Sequence, residues 1–306
     1  MTEMRITFLG TGGAMPSKTR NLPSIAIKYS GAVFVVDCGE GTQRQFIQSG
    51  LGFKRDLSIF ITHMHGDHVL GLPGLLYTMS MLSREDPVEI YGPKGLTDFL
   101  KAVLRQGLGA INYPIKVYEV KPGDVIEKNN LVVRCVETDH VIENICYVFQ
   151  EKRRKSRMKV EFLEEMGIPR GPLWGRLQRG EAVIYGGRVI KPEEAVEPPK
   201  PGRKIVYTGD TRPCEAVVEA AREADVLIHD ATFDSSLKAK AEEDKHSTAA
   251  EAAEVAKRAK VKKLFLFHIS PRYEKNYEIL LQEARSIFPN TQLSYDLMSI
   301  TIPYNQ

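Results

Sequence analysis

The stretch Ile59-Phe60-Ile61-Thr62-His63-Met64-His65-Gly66-Asp67-His68 decides the fold. Its β-branched and aromatic first half reads as a buried strand that stops at Thr62. Four potential metal ligands follow within six residues, and three of the chain's seven histidines are among them. Two residues apart in extended backbone, His63 and His65 point to the same side. Gly66 permits a sharp turn, and Asp67 suits the N-cap of a helix beginning near His68. From Val69 to Leu82 that helix is apolar and rich in Leu and Met, which marks it as core. A loop holding histidines by accident would not repeat ligand types at this spacing, so the cluster reads as a metal site.

Upstream, Met4–Leu9 is expected to form a first strand, closed by Gly10-Thr11-Gly12-Gly13. That glycine run lacks the Lys-Ser ending of a Walker loop and the GxGxxG spacing, so a tight turn is the better reading. A polar loop, Pro16-Ser17-Lys18-Thr19-Arg20-Asn21, leads to strands at 25–29 and 33–37 joined by Ser30-Gly31. Gly39-Glu40-Gly41-Thr42 then opens a helix to about Ser49. Downstream the pattern gives a strand at 88–91, a helix at 95–106 and strands at 116–120, 131–137 and 144–149. After residue 203, strands at 204–208, 225–229 and 263–267 alternate with helices at 213–224, 247–260 and 274–287. Two β-rich sections, each flanked by helices, predict an α/β (α+β) fold of two packed sheets with helices outside.

The 306 residues suffice for one large core. With a formal net charge of only +3, no global polycation argument for nucleic acid is available, and position must carry it. Residues 151–203 hold 13 Lys and Arg against 8 Glu, a local +5, whereas the remainder balances at 29 against 31. The same segment carries the Pro-rich run Pro192 to Pro201 and the one Trp, Trp174. It reads as an extended insertion in a single domain spanning 1–306. Lys152-Arg153-Arg154-Lys155 is its densest charge run, and such runs are often merely solvated. Cys38, Cys135, Cys146 and Cys214 lie far apart without a CxxC pair, which suggests buried thiols in a reducing compartment. Neither a signal-type apolar run nor a membrane-length one is present, so the expected location is cytoplasmic.

Further ligand candidates recur where strands stop. His140 follows the strand 131–137, Asp210 follows 204–208, and His268 follows 263–267, as His63 follows its own strand. Ligands on loops held by a rigid sheet are a common way to build a site. Five His and two Asp suffice for two divalent cations, and imidazole with carboxylate but no thiolate suits catalytic zinc. Two dications, two carboxylates and one hydroxide leave a charge of about +1, which favours an anion such as a phosphodiester.

His63-x-His65-x-Asp67-His68 with His140, Asp210 and His268 resembles the metallo-β-lactamase superfamily. The likeness extends to the short-form tRNase Z family of tRNA 3′-processing endonucleases. It is carried by Pro16–Asn21, the run His63 to Gly74, His229-Asp230-Ala231-Thr232-Phe233, His246-Ser247-Thr248 and His268-Ile269-Ser270-Pro271-Arg272-Tyr273. The histidine cluster identifies only the superfamily; the other four stretches are more specific.

This resemblance implies a four-layer αββα sandwich and two Zn2+ per subunit. One zinc would be held by His63, His65 and His140, the other by Asp67, His68 and His268, with Asp210 bridging. A hydroxide between them would attack the phosphodiester, Asp67 would take its proton, and His246 would serve as general acid. His229-Asp230 departs from the Glu expected at its second position, a carboxylate that would orient His246. Substrate contacts are implied for Lys18, Arg20, Asn21, Ser270 and Arg272. The insertion resembles a tRNA-binding arm, with Lys152, Arg153, Arg154 and the pair Gly171-Pro172 as contacts. The partners implied are precursor tRNA and a second copy of the chain, with no membrane. The alternatives are a zinc phosphodiesterase or thioesterase acting on a small molecule, and a non-catalytic RNA-binding protein with a structural metal. A structural zinc needs only four ligands, which disfavours the latter.

Overall fold

The computed structural model describes residues 2–105, 110–128, 130–152, 157–197 and 201–304. The chain begins with β1 (Met4–Gly10), β2 (Ser24–Tyr29) and β3 (Ala32–Val36), then α1 (Thr42–Ser49) and β4 (Leu57–Phe60). Two helices follow, α2 (Gly66–Val69) and α3 (Leu72–Met81), then β5 (Val88–Gly92), α4 (Leu96–Leu104) and β6 (Ile115–Glu119). Next come β7 (Val125–Lys128), β8 (Leu131–Glu137) and β9 (Ile145–Glu151). The insertion contains α5 (Val160–Glu165), α6 (Pro172–Gln178), the hairpin β10 (Val183–Tyr185) and β11 (Arg188–Ile190), and α7 (Pro192–Ala195). The remainder runs β12 (Lys204–Tyr207), α8 (Glu215–Ala221), β13 (Val226–Asp230), α9 (Lys238–Glu243), α10 (Ala249–Ala259), β14 (Leu264–Phe267), α11 (Glu278–Ile287), β15 (Thr291–Leu293) and β16 (Ser299–Thr301).

One seven-stranded sheet has the order β16-β1-β2-β3-β4-β5-β6, the other β15-β14-β13-β12-β9-β8-β7. Strand alternation explains how they stack. Ile6, Phe8, Phe34 and Phe60 of the first sheet share one buried cluster with Tyr147, Phe149, Tyr207, Phe265 and Phe267 of the second. Phe8 and Phe265 meet with ring centroids 5.2 Å apart, and so do Phe60 and Tyr147. The intervening residues face outward onto helices. Val33, Val35, Ile59 and Ile90 pack with Phe46 of α1, Leu75 and Leu76 of α3 and Leu100 of α4. Val148, Val206, Leu227 and Leu266 pack with Val217 of α8, Ala252 and Ala256 of α10 and Leu280 of α11. The architecture is therefore the four-layer αββα sandwich. Among the described residues no helix is long and apolar enough to cross a membrane.

Three local expectations change. The helix expected over 69–82 is broken between α2 and α3, because Gly71 lies against Gly39. A Cβ at Gly71 would stand 2.0 Å from the Gly39 carbonyl oxygen. Cys38 and Gly71 also exchange backbone groups with this turn: Cys38 N–H donates to His68 O at 2.7 Å and Gly71 N–H to Cys38 O at 2.9 Å. Asp67 is not the N-cap of α2; His65 holds that position, and Asp67 sits in the first turn with its carboxylate free for other partners. The last helix starts at Glu278, later than residue 274, after a 3₁₀ turn at Pro271–Tyr273.

The chain divides into two compact units, Met1–Gln150 with Lys204–Pro303, and Glu151–Arg203 with Tyr304–Gln306. The second unit is more than the extended projection that its glycine, proline and charge suggested. Leu163, Ile168, Leu177, Val183 and Ile190 form a small core, with Phe162 and Trp174 packed on it. At its root Glu151 and the buried Arg203 pair, Nε to Oε2 at 3.1 Å and Nη2 to Oε1 at 3.2 Å.

Candidate metal centre

Four of the seven ligand candidates lie just beyond the end of a strand of the large unit. His63 follows β4, His140 follows β8, Asp210 follows β12 and His268 follows β14. His65, Asp67 and His68 come from the turn into α2. His63 Nε2 and His140 Nε2 stand 3.1 and 3.3 Å from His65 Nδ1, and Asp210 Oδ2 is 3.6 Å from His63 Nε2. On the other side Asp67 Oδ2 is 3.6 Å from His68 Nε2 and 3.3 Å from His268 Nε2. Asp210 Oδ2 faces this group too, 3.4 Å from His68 Nε2 and 3.3 Å from His268 Nε2. One carboxylate oxygen thus touches both clusters.

These spacings fit divalent cations. Ligands about 2.0–2.1 Å from one ion in a tetrahedron stand about 3.3 Å from each other, close to the observed edges. His68 Nε2 and Asp210 Oδ1 are buried and make no hydrogen bond, an expensive arrangement unless a cation meets them. Burial holds His63, His65 and His140 below the ordinary imidazole pKa, so their lone pairs are available. His68 differs: burial opposes its charge, but Asp210 and Asp37 outweigh that and raise its pKa well above the ordinary value. Burial likewise opposes ionisation of Asp67 and Asp210, yet the neighbouring histidines, His268 and His68, hold both carboxyls far below the usual range.

The far nitrogens of three ligand rings are oriented by protein oxygens. His63 Nδ1 meets Thr62 Oγ1 at 2.9 Å, His140 Nδ1 donates to Lys245 O at 2.9 Å, and His268 Nδ1 meets Thr232 Oγ1 at 2.8 Å. His268 has φ 59, a left-handed conformation uncommon outside glycine. Gly13 lies under its ring, where a Cβ would come within 2.5 Å. The glycine turn after β1 is therefore a cradle for His268.

Beside the clusters, His246 Nδ1 bonds Asp230 Oδ2 at 2.8 Å, and its ring stacks on His268 with centroids 5.0 Å apart. Burial opposes its charge, but Asp230 outweighs this and raises the His246 pKa to about 9. The shorter carboxylate reaches the histidine without difficulty. His229 is buried, with Nδ1 donating to the Asp230 carbonyl at 2.8 Å.

Comparison with known proteins gives a consistent answer. The model of the anti-Pycsar protein Apyc1 family matches residues 4–154, and that of the beta-lactamase superfamily domain matches 195–269. The ribonuclease Z of Methanosarcina acetivorans is 46% identical, covering 98% of this chain and 99% of its own. That of Enterococcus faecalis is 45% identical, covering 98% of both. The chain belongs to the ribonuclease Z family. The crystal structure of human tRNase Z, short form, superposes with a TM-score of 0.71 at 30% identity, covering 98% of this chain and 100% of that one.

Within this ribonuclease Z scaffold, the residues named from sequence as substrate contacts fall into different settings. Lys18, Ser270 and Arg272 line one groove of about 650 Å³, together with Met15, Pro16, Ser17, Pro271 and Glu274. Arg272 lies over the Phe233 ring at 5.0 Å, with Nε donating to Ser270 Oγ at 3.0 Å. Arg20 needs correction. Its side chain is buried, Nη1 donates to Thr11 Oγ1 and Ser294 O, both at 2.6 Å, and the guanidinium stacks 4.3 Å from the Tyr277 ring. A cation so enclosed holds the loop that carries Lys18 instead of meeting a ligand. Asn21 is half-buried, its N–H donating to Asp296 Oδ2 at 2.7 Å. In the smaller unit Gly171 and Pro172 are exposed at the start of α6, and Lys152 is exposed as well. Arg153 and Arg154 lie outside the described residues.

Sequence reasoning missed Asp37. It directly follows β3, at φ 58, and is fully buried. His68 Nδ1 and the Tyr207 hydroxyl donate to its Oδ2 at 2.7 and 2.8 Å, while Thr62 N–H donates to Oδ1 at 2.8 Å. The strand-end rule that found the ligands would have found it, but a single carboxylate has no cluster to announce it. Removing a group that orients a ligand costs about 10- to 100-fold in metal affinity. Asp37→Ala is expected to show that loss in a chelator competition with zinc; unchanged affinity would refute the orienting role.

Proposed function

We propose that this protein is a zinc-dependent endoribonuclease that removes the 3′ trailer from precursor tRNA in the cytoplasm. The observation that carries this reading is the shared Asp210 oxygen between two clusters of ligand atoms, with His246 beside them on its own carboxylate. Each cluster suits one Zn2+, the first through His63, His65 and His140, the second through Asp67, His68 and His268, with Asp210 serving both. Two such ions, when bound, supply Lewis acidity and make water nucleophilic near neutral pH.

The chain's own residues do the rest. Asp67 orients the attacking water and takes its proton. Asp230 fixes His246 by Nδ1, which leaves Nε2 to protonate the departing ribose 3′ oxygen. The phosphorus–oxygen bond to that ribose breaks as the water oxygen bonds phosphorus, leaving a 3′-hydroxyl on the tRNA and a 5′-phosphate on the trailer. Phosphate contacts by Lys18 and Arg272, and by the basic arm with Lys152, Gly171 and Pro172, select tRNA by its shape rather than its base sequence.

The test uses purified, zinc-loaded protein, a precursor tRNA with a 3′ trailer and the Asp67→Ala variant. Cleavage beside the acceptor stem leaving a 3′-hydroxyl supports the reading. Intact RNA with a model diester still hydrolysed would replace it by a small-molecule phosphodiesterase. A homodimer completes the proposal: sedimentation at micromolar concentration is expected to give the mass of two chains, and a monomer alone would refute it.

A further inference from the structure

We propose that Arg212 is a positioning residue for His246, clamping the main chain of the histidine that donates the proton; the inference rests on that role for His246. Arg212 follows Asp210 by two residues, and its guanidinium forks. Nη1 donates to His246 O and to Glu251 Oε2, both at 2.7 Å, and Nη2 donates to Glu251 Oε1 at 2.6 Å. The carboxylate it grips is itself fixed, because Thr248 N–H donates to Glu251 Oε2 at 2.9 Å in the capping box of α10. A planar, bidentate pair of this kind is geometrically specific.

The main chain of the same arginine is anchored elsewhere. Arg212 N–H donates to Asp139 O at 2.9 Å, beside the ligand His140. His140 Nδ1 in turn donates to the carbonyl of Lys245, the residue before His246. Thr211 is tied into the same seam: its N–H donates to Asp230 Oδ2 at 3.1 Å, and its carbonyl accepts from Ser247 Oγ at 2.5 Å. Segment 210–212 thus stitches together one ligand, the acid and the carboxylate that orients the acid.

The clamp answers a specific need. Lys245 has φ 58, the left-handed turn that ends α9 after its C-cap Asp244 and leads the chain into His246. Asp230 fixes the imidazole at one end, but the position of Nε2 also depends on where the His246 main chain sits. His246 N–H donates to Ala241 O at 2.8 Å and its carbonyl accepts from Arg212, so the peptide is held on both sides. Capping alone does not require this arginine, since Thr248 and Glu251 already satisfy each other.

The experiment compares a precursor tRNA carrying the ordinary 3′ oxygen at the scissile bond with the same RNA carrying sulfur there. A thiolate leaves without a proton, so only the oxygen substrate needs the acid. Arg212→Gln is expected to lower kcat on the oxygen substrate about 10- to 100-fold with KM within about twofold, and to cleave the sulfur substrate nearly as well as the wild type. Arg212→Lys, which keeps one donor, should recover part of the loss. Equal losses on both substrates, or none on oxygen, overturn the proposal. His246→Ala runs alongside: a loss there that ignores the leaving group overturns the acid assignment itself. A selective loss in His246→Ala with an unselective one in Arg212→Gln overturns only the clamp. Should Arg212→Gln fail to fold, Glu251→Gln removes the carboxylate while keeping an acceptor for Thr248, and the same comparison decides.

Discussion

Alanine at Asp67 is expected to abolish cleavage of precursor tRNA, with a loss of more than about 10³-fold in the single-turnover rate. Three functions leave with that one carboxylate. It stands opposite His68 and His268 in the second ligand cluster, so the remaining set there falls below what holds a catalytic cation tightly. It is the group assigned to take the proton of the attacking water. It also accepts the Ala14 N–H at 2.9 Å, tying the loop after β1 to the centre. Substitution by asparagine separates these, because an amide keeps an acceptor for Ala14 but neither the charge nor the basicity. If Asp67→Asn binds one metal instead of two and is as inactive as Asp67→Ala, charge at the centre is the decisive quantity. Full activity in either variant with metal content unchanged would remove Asp67 from the machinery.

The legible part of this centre was legible for a physical reason. His63, His65, Asp67 and His68 crowd one turn, and His140, Asp210 and His268 obey the rule that open α/β sheets expose their sites at strand ends. What escaped depends on contacts between segments distant in sequence. Asp37 matters because the parallel pairing of β3 with β4 sets it beside Thr62, and α2 then folds back to bring His68 onto it. The break between α2 and α3 comes from Gly39, which no local propensity reports. Arg20 misled because an arginine in a polar loop reads as solvent-facing, whereas Tyr277, Ser294 and Thr11 enclose it. Arg212 carried no motif at all; its partners lie 34 and 39 residues away in the chain. The insertion was recognised by charge, and charge says nothing of a core, so its helices appeared only when Leu163, Ile168 and Leu177 were seen to pack.

Removing residues 156–195 is expected to eliminate tRNA cleavage while leaving hydrolysis of a small phosphodiester near the wild-type rate. Every ligand and His246 lie in the other unit, whose strands and helices do not include this segment. The root of the insertion is also self-contained. Glu151 N–H donates to Arg203 O at 2.9 Å, the buried ion pair of these two residues sits beside it, and Arg203 stacks 3.9 Å from the Tyr304 ring. The deletion therefore leaves these closing interactions in place. RNA binding is a different matter. The deleted residues hold seven Lys and Arg against six Glu, and every RNA phosphate that those cations no longer neutralise weakens binding and flattens the salt dependence. With several phosphates left without a cation, KM for precursor tRNA is expected to rise at least about 100-fold at moderate salt, with a shallower dependence on salt than the intact protein shows. The model diester has no phosphate other than the scissile one, so its kcat/KM serves as the internal control. Parallel loss of both activities would mean that the segment supports the fold of the catalytic unit, and the arm would no longer be a substrate-binding element.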